Sequence, residues 1–200
     1  MTKKDVLPVD GAVEVRMFRF RLEDELYACG DAILELINYS SLEDVWENWK
    51  NPEWATWFVA RVLGKKHAHK LLARAFQTYL NKEHPGLARK CRGKTFPKMI
   101  KVLDGYQETN RDYATNRDYW ILDNAQEILS GTAKSYGSAD SASATMEDLI
   151  DGAGVGGWAT RAEQSEKIMR VVRDLVPKQT FLRVARKMIK DLKPEEFQEP

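Results

Sequence analysis

Hydrophobic residues recur every three or four positions along most of the chain, which is the pattern of amphipathic α-helices. The clearest stretch is 66–82, where one face carries only apolar or aromatic residues that we predict to point inward: Ala68, Leu71, Leu72, Ala75, Phe76, Tyr79 and Leu80. Similar stripes run through residues 22–37, 168–176 and 181–192. The pattern predicts an all-α fold, bundle-like, with roughly seven to nine helices.

Residues 13–22 are the one stretch that departs from helical spacing. Apolar and polar residues alternate there, with a shift of phase between Met17 and Phe18. Alternation is typical of a half-buried strand, so we predict at most one minor N-terminal β-strand. A single strand is not stable alone, and the sequence offers no partner for it within the chain. It would therefore be irregular or pair between subunits.

The stretch 41–64 is the richest in tryptophan and predicts a tight corner between two helices. It holds Trp46, Trp49, Trp54 and Trp57, four of the six tryptophans. Ser40 with Glu43 has the form of a capping box that begins the first helix. Asn51-Pro52 suits the start of the second helix. The Asn side chain can accept hydrogen bonds from the first amides of the helix, and Pro is tolerated at the first position because an N–H there has no acceptor within the helix. Gly64 is expected to end it.

Two interpretations of these indoles remain open at this point. Aromatic stripes at helical spacing are usually buried faces, so the corner is expected to contribute to the core. The alternative is that one or two rings stay exposed as anchors for a partner, because Trp is enriched in interface hot spots. Trp49 and Trp54 flank the turn and are the candidates for that role.

We divide the chain into three parts. Residues 1–130 form a helical domain that contains the tryptophan-rich corner. Residues 131–158 are predicted to be a flexible linker, because the segment is rich in Gly, Ser and Ala. Residues 159–200 form a C-terminal helical pair that we expect to pack on the same domain.

Charge is distributed unevenly although the net charge is only +1. Residues 23–53 carry nine acidic side chains against one lysine, and residues 102–151 carry ten against three basic ones. Between them, residues 61–101 carry twelve Lys and Arg against a single Glu. This basic belt between two acidic segments is the main functional signal in the sequence.

The belt predicts a binding surface for an anionic partner. Lys66, Lys70 and Arg74 fall one helical turn apart, so we expect them to form one basic row on the solvent side. The predicted partner-binding residues, with the two candidate indoles, are Lys65, Lys66, Lys70, Arg74, Arg89, Lys90, Arg92, Lys94, Trp49 and Trp54. The acidic segments could instead fold back and neutralise the belt, or the belt could be only a solvated helix face.

Motifs for catalysis, cofactors and metals are weak or absent. Residues 152–157 match GxGxxG, but neither a preceding strand nor a βαβ unit is predicted, so we interpret them as a hinge. His67 and His69 are two apart on a helix and diverge by about 200°, which prevents shared metal binding. We interpret them, with His84, as surface histidines. We therefore predict no enzymatic activity, no cofactor and no metal.

Location is predicted from what the sequence does not contain. No apolar run approaches the length of a membrane span, and the N-terminus has no apolar segment of the kind found in signal peptides. Cys29 and Cys91 are far apart in sequence and have the character of free thiols in a reducing compartment, with one disulfide between them as the alternative. We expect a cytoplasmic protein that does not contact the membrane.

Four runs resemble a pattern in helical proteins of phages and bacteria, some of which are described as immunity proteins. The runs are 27–32 (YACGDA), 41–46 (SLEDVW), 52–61 (PEWATWFVAR) and 162–177, which begins AEQSEKIMR. The middle of the chain departs from the pattern, since it lacks the long alanine-rich helices of those proteins. The resemblance implies an all-helical fold and a small accessory or inhibitor protein.

These observations lead to two functional hypotheses. The first is a non-enzymatic inhibitor or immunity-type accessory protein of phage or bacterial origin, which masks an acidic surface of a protein partner. The second is an accessory protein that binds nucleic acid through the belt 61–101. Steep dependence of DNA or RNA affinity on salt would favour the second.

Overall fold

A computed structural model describes residues 10–26, 28, 30–109, 116–130, 136–153 and 158–198. Within these residues the chain forms eleven α-helices and no strand, which confirms the all-α fold and exceeds the number of helices predicted. The helices are α1 (Gly11–Asp24), α2 (Gly30–Leu36), α3 (Leu42–Asn48), α4 (Pro52–Phe58), α5 (Lys65–Glu83), α6 (Pro85–Cys91), α7 (Phe96–Thr109), α8 (Asn116–Ser130), α9 (Tyr136–Ala153), α10 (Trp158–Leu175) and α11 (Lys178–Ile189). A π-helical turn, Val59–Leu63, joins α4 to α5, and a 3-10 turn, Pro194–Phe197, follows α11.

The helices form two compact units. Unit 1 combines the described residues of Met1–Trp49 with those of Val176–Pro200, and unit 2 is Lys50–Leu175. Each unit has its own core.

Unit 1 is built from both ends of the described chain. In its core, the ring of Phe181 on α11 stacks on Trp46 of α3 at a centroid distance of 5.5 Å. The same ring meets Phe18 of α1 edge-on at 5.9 Å. Residues more than 130 positions apart in sequence therefore share one aromatic cluster.

The described residues of unit 2 form seven α-helices, α4 to α10, in which α5 and α9 each pack against several others. Helix α9 packs against α4, α5, α8 and α10, and α5 packs against α6, α7 and α10. Helix α5 buries the seven residues that the hydrophobic pattern assigned to its inner face. That prediction is confirmed.

The N-terminal strand prediction is wrong, because residues 13–22 lie inside helix α1. The carboxylate of Asp10 accepts a hydrogen bond from the Ala12 amide at 2.9 Å and caps this helix. Val15, Phe18 and Leu22 are buried at helical spacing, and Arg21 is buried with them. The alternation arose because α1 buries a wide face that includes an arginine as well as apolar residues. Tertiary packing therefore overrides the β-propensity of this segment.

Both helices of the tryptophan-rich stretch begin at side-chain caps, and the first cap is displaced by one residue from the prediction. The Ser41 hydroxyl caps α3 by accepting from the Asp44 amide at 3.1 Å, and Asp44 accepts from the Ser40 amide at 2.9 Å. The capping residues of α3 are thus Ser41 and Asp44 rather than Ser40 and Glu43. Asn51 caps α4 as predicted, accepting from the amides of the next helix at 3.0 and 3.2 Å.

The flexible-linker prediction is wrong for the greater part of 131–158, since Tyr136–Ala153 forms α9. Alanine has the highest helix propensity, and its small side chain allows close packing of neighbouring helices. Ala139 and Ala142 are buried accordingly, with Met146 and Leu149. Residues 131–135 and 154–157, with most of the GxGxxG match, lie outside the described residues.

Candidate functional site

Helices α5, α6 and α7 carry the basic belt and pack on one another within unit 2. Gln77 of α5 donates a hydrogen bond to the Ala88 carbonyl of α6 at 3.1 Å, so α6 runs back along α5. On α7, Phe96 lies 6.3 Å from Phe76 between ring centroids, near the middle of α5. Helix α7 then runs parallel to α5. The belt is therefore presented by a compact group of three helices.

The entry to α5 is fixed by the π-helical turn and by Gly64. The Gly64 amide donates to the Val59 carbonyl at 3.0 Å, which closes the wide turn. Gly64 has φ +85°, in the left-handed region that favours glycine, and α5 begins at the next residue. This geometry ends the α4 segment where the sequence predicted.

Lys65 is partly buried and has a partner within unit 2. Its ammonium group donates to the backbone carbonyl of Leu129 at the end of α8. A lysine held at the C-terminal end of a helix satisfies an orphan carbonyl and the negative end of the helix dipole. Lys65 therefore connects α5 to α8, and its assignment as a partner-binding residue stays a prediction.

Lys66, Lys70 and Arg74 form the predicted row on the exposed side of α5. The face opposite them is buried, because Ala68, Leu71 and the rest of the apolar stripe lie in the core of unit 2. One turn of helix separates each cation from the next, about 6 Å along the axis.

The remaining predicted cations lie on α6 and in the connection to α7. Arg89 and Lys90 are exposed on α6, and Arg92 and Lys94 are exposed on either side of Gly93. Gly93 has φ +72° and permits the turn that brings the Lys94 amide to the Cys91 carbonyl at 2.9 Å. Two further lysines, Lys98 and Lys101, are exposed on α7 and were not selected from the sequence.

We define the basic surface by the seven predicted cations that are exposed: Lys66, Lys70, Arg74, Arg89, Lys90, Arg92 and Lys94. None of them forms an ion pair with any residue that the structure describes. Because no carboxylate among those residues lies within ion-pair distance of the seven cations, the surface has a positive electrostatic potential.

Two carboxylates of the acidic segment 23–53 have partners within unit 1. Glu43 pairs with Arg186 at 2.9 Å and Glu47 pairs with Lys178 at 2.5 Å, both on α11. Neutralisation of the belt by the acidic segments stays a prediction.

The placement of lysines along α5 is unfavourable for the stability of the helix. The first turn of α5 contains no acidic residue, although anions stabilise the positive end of the helix dipole. Like charges one turn apart, as in Lys66 and Lys70, also repel each other. Helix stability would favour acidic or neutral residues here, so the cations need a different explanation.

The tryptophans divide between the core and the surface differently from the prediction. Trp46, Trp49 and Trp57 are buried, so the exposed-anchor hypothesis is wrong for Trp49, which is 5 % exposed. Trp54 is half-buried. Among the tryptophans whose burial the structure describes, the one that faces solvent is Trp120 on α8, which is 56 % exposed.

A buried polar cluster in unit 2 was not visible from the sequence. The carboxylate of Asp118 on α8 is fully buried; it accepts from the Tyr79 hydroxyl at 2.8 Å and lies 3.1 Å from His84 Nε2. The hydrogen bond to Asp118 raises the pKa of His84, against the opposing effect of burial. His84 is therefore an internal ion-pair partner, and its interpretation as a surface histidine is wrong.

Two other side chains of the belt region are held in apolar surroundings. Burial lowers the pKa of His69, whose ring lies 5.8 Å from that of Phe96. Cys91 is a buried free thiol on α6, and burial raises its pKa, which disfavours the reactive thiolate. Neither residue has the exposure that a reactive group requires.

Metal-binding and membrane-spanning features were sought in the described residues. No three His, Cys, Asp or Glu side chains among them are grouped so that they could hold a metal ion. Within the same part of the chain, every helix is too short or too polar to cross a bilayer.

Comparisons with known proteins identify no relative. The chain matches no protein-family model, no curated protein and no solved structure. The functional argument therefore depends on the site itself.

Proposed function

We propose that this chain is a non-enzymatic binding protein that uses the basic surface to mask an acidic surface of a protein partner. The observation that carries the proposal is the set of seven exposed cations without an ion pair to any described residue. Cations of this kind accelerate association with an oppositely charged partner and fix its orientation. The proposed class is an inhibitor or immunity-type accessory protein of phage or bacterial origin, acting in the cytoplasm.

The rigidity of the support strengthens this proposal. Helices α5, α6 and α7 are joined through buried rings and through the hydrogen bond from Gln77 to the Ala88 carbonyl. Cations on a preformed scaffold lose less conformational entropy on binding than cations on a loop that must become ordered. The electrostatic disadvantage of the row on α5 is also explained if the row has a binding role.

The resemblance of four sequence runs to helical phage and bacterial proteins agrees with this class of function. Two of the runs, 41–46 and 52–61, fall on α3 and on α4 with its π-helical turn. Those residues are largely buried, so they account for the fold rather than for the choice of partner.

The decisive experiment is charge reversal on the row. The variant K66E/K70E/R74E should bind poly-L-glutamate at least about tenfold more weakly than the unaltered chain at low salt. In a lysate capture, the proteins held by the unaltered chain should be lost with this variant. Circular dichroism and thermal denaturation establish that it is folded.

A matched control is available on unit 1. The variant R183E/K187E/K190E makes the same change in net charge at three exposed positions on and just after α11. It should retain most of the binding if the basic surface is responsible. Equal losses in the two variants, or no loss in the first, would show that the wrong face has been chosen.

The second candidate function is nucleic-acid binding by the same cations. Ammonium and guanidinium groups that lack internal partners are suited to phosphate as well as to carboxylate. For duplex DNA or single-stranded RNA, the logarithm of the affinity would fall linearly with the logarithm of the salt concentration. Absence of binding at low salt would remove this candidate.

A further inference from the structure

His84 lies at the corner between α5 and α6. It ends α5 and begins α6, with φ −135° and ψ 67°, and its backbone amide donates to the Leu80 carbonyl at 2.9 Å. Helix α5 carries Lys66, Lys70 and Arg74, whereas α6 carries Arg89 and Lys90. The angle at this corner consequently sets how far apart the two groups of cations lie.

The side chain of His84 is held at three points. Its Nε2 lies 3.1 and 3.2 Å from the two carboxylate oxygens of Asp118 on α8, and its ring lies 5.5 Å from that of Tyr106 on α7. Tyr79 on α5 shares the same carboxylate, with its ring 6.0 Å from the imidazole. Contacts from α5, α7 and α8 thus converge on the residue that joins α5 to α6.

We propose that the His84–Asp118–Tyr79 cluster is a proton-controlled clamp that fixes the corner between α5 and α6 and so regulates the basic surface. The inference rests on the proposed function, since it assigns a regulation to that surface. With His84 protonated, the ion pair to the fully buried carboxylate of Asp118 holds the corner in the arrangement seen here. With His84 neutral, the Coulomb attraction of the ion pair is lost and only a hydrogen bond from the Nε2–H tautomer to Asp118 remains, so the clamp weakens and the two groups of cations are held less firmly in register.

The groups around His84 support protonation of its ring. The hydrogen bond to Asp118 on α8 raises its pKa, burial opposes this, and the charges of Asp118 and of Glu83 on α5 raise it further. The other side chains that face the ring are the phenols of Tyr79 and Tyr106. Lys82 pairs with Glu83 at 4.0 Å, and the cations of α6 point to solvent. An imidazolium is therefore stabilised to a higher pH than an ordinary histidine allows, so the clamp opens as the pH rises through this raised value.

The test compares the pH dependence of binding with and without the clamp. All proteins carry His67→Gln, because protonation of His67 on α5 would itself change the charge of the belt. Poly-L-glutamate is the probe, at constant ionic strength from pH 6 to pH 9, where its carboxylates stay ionised. The parent should lose about fivefold in affinity as the pH rises, whereas Asp118→Asn should bind weakly at every pH.

A second readout follows the corner itself. Amide hydrogen exchange of residues 85–91, corrected for the intrinsic effect of pH, should accelerate in the parent when His84 loses its proton and should already be fast in Asp118→Asn. If Asp118→Asn fails to fold, Tyr79→Phe provides a milder variant, because it removes one hydrogen bond to the Asp118 carboxylate. It should change the binding of poly-L-glutamate and the amide exchange in the same direction as Asp118→Asn, but by a smaller amount. The His84 proton resonance reports its titration directly in each protein.

The outcomes separate the clamp from the binding function. Equal pH dependence of binding or of exchange in the parent and in the cluster variants would overturn the clamp. If poly-L-glutamate is bound by none of these proteins at any pH, the proposed function fails, and amide exchange at the corner still decides whether the clamp exists.

Discussion

The two units use the same residue types in opposite ways. In unit 1, basic residues of the C-terminal segment pair with acidic residues of the N-terminal helices. Arg186 bonds to Glu14 at 3.0 Å and to Glu43 at 2.9 Å. In unit 2, the seven cations of the basic surface pair with none of the residues that the structure describes.

The difference separates charges that hold the chain together from charges that are available to another molecule. Local sequence does not distinguish them, since both groups lie on amphipathic helices with exposed lysines and arginines. What differs is whether a carboxylate from a distant part of the chain reaches them. A functional surface is therefore indicated by the absence of internal partners rather than by the number of basic residues.

The largest expected effect concerns the joining of the chain ends in unit 1. Phe181→Ala removes the ring that packs on Trp46 and on Phe18, and leaves a cavity in a fully buried site. We expect a loss of about 3–5 kcal/mol in the free energy of unfolding. Denaturant titration measures it, and Phe181→Leu, which keeps most of the volume, should lose clearly less. A loss of about 0.5 kcal/mol or less, the size expected of a surface substitution, would mean that this cluster does not stabilise the unit.

The next effect tests a buried ion pair of unit 2, that of His84 and Asp118. Because the pKa of folded His84 is raised, the protonated residue stabilises the fold at pH values below its unfolded pKa. That contribution is lost as the pH rises through the raised pKa. His84→Gln should cost about 2 kcal/mol near pH 6 and less near pH 9. Thermal denaturation at both values checks this, and a cost that does not depend on pH would contradict it.

A smaller effect compares a paired arginine with an unpaired one. Arg186→Ala should destabilise the protein by about 1 kcal/mol, because it breaks contacts to Glu14 and Glu43, and the loss should shrink at high salt. Arg89→Ala should stay within about 0.5 kcal/mol of the unaltered chain. Denaturation at two salt concentrations measures both. Equal effects would remove the distinction between the units.

The smallest effect has the opposite sign. Lys70→Gln relieves the repulsion from Lys66 and Arg74, each one turn away on α5. We expect a gain of about 0.2–0.5 kcal/mol in stability together with weaker binding of poly-L-glutamate. Gln179→Lys makes the opposite exchange, Gln to Lys, at an exposed position in the first turn of α11, and serves as a control because this position lies outside the basic surface. A loss of stability on Lys70→Gln would show that the lysine has a structural role.

The sequence predicted those parts of the fold that depend on local chemistry. The inner face of α5, the cap at Asn51 and the end of the α4 segment at Gly64 follow from periodicity, side-chain capping and glycine conformation, and all are confirmed. The exposed row at Lys66, Lys70 and Arg74 follows from the same periodicity.

The parts that were missed depend on contacts between distant residues. Helix α1 was taken for a strand because the partner of its wide buried face, α11, begins more than 150 residues later. The diversion of Lys65 to the Leu129 carbonyl depends on where α8 ends. The pairing of His84 with Asp118 joins residues 34 positions apart that share no motif. Local patterns contain no signal for any of these.

The arrangement of unit 1 has a consequence for synthesis on the ribosome. Phe181 and Arg186, which complete its aromatic cluster and its ion pairs, are translated only after all of unit 2. Until then, Phe18 and Trp46 lack the ring of Phe181, and the nascent chain exposes an apolar surface of the kind that chaperones bind. Unit 1 must therefore form late, by closing a very long loop, which is a slow class of contact in folding.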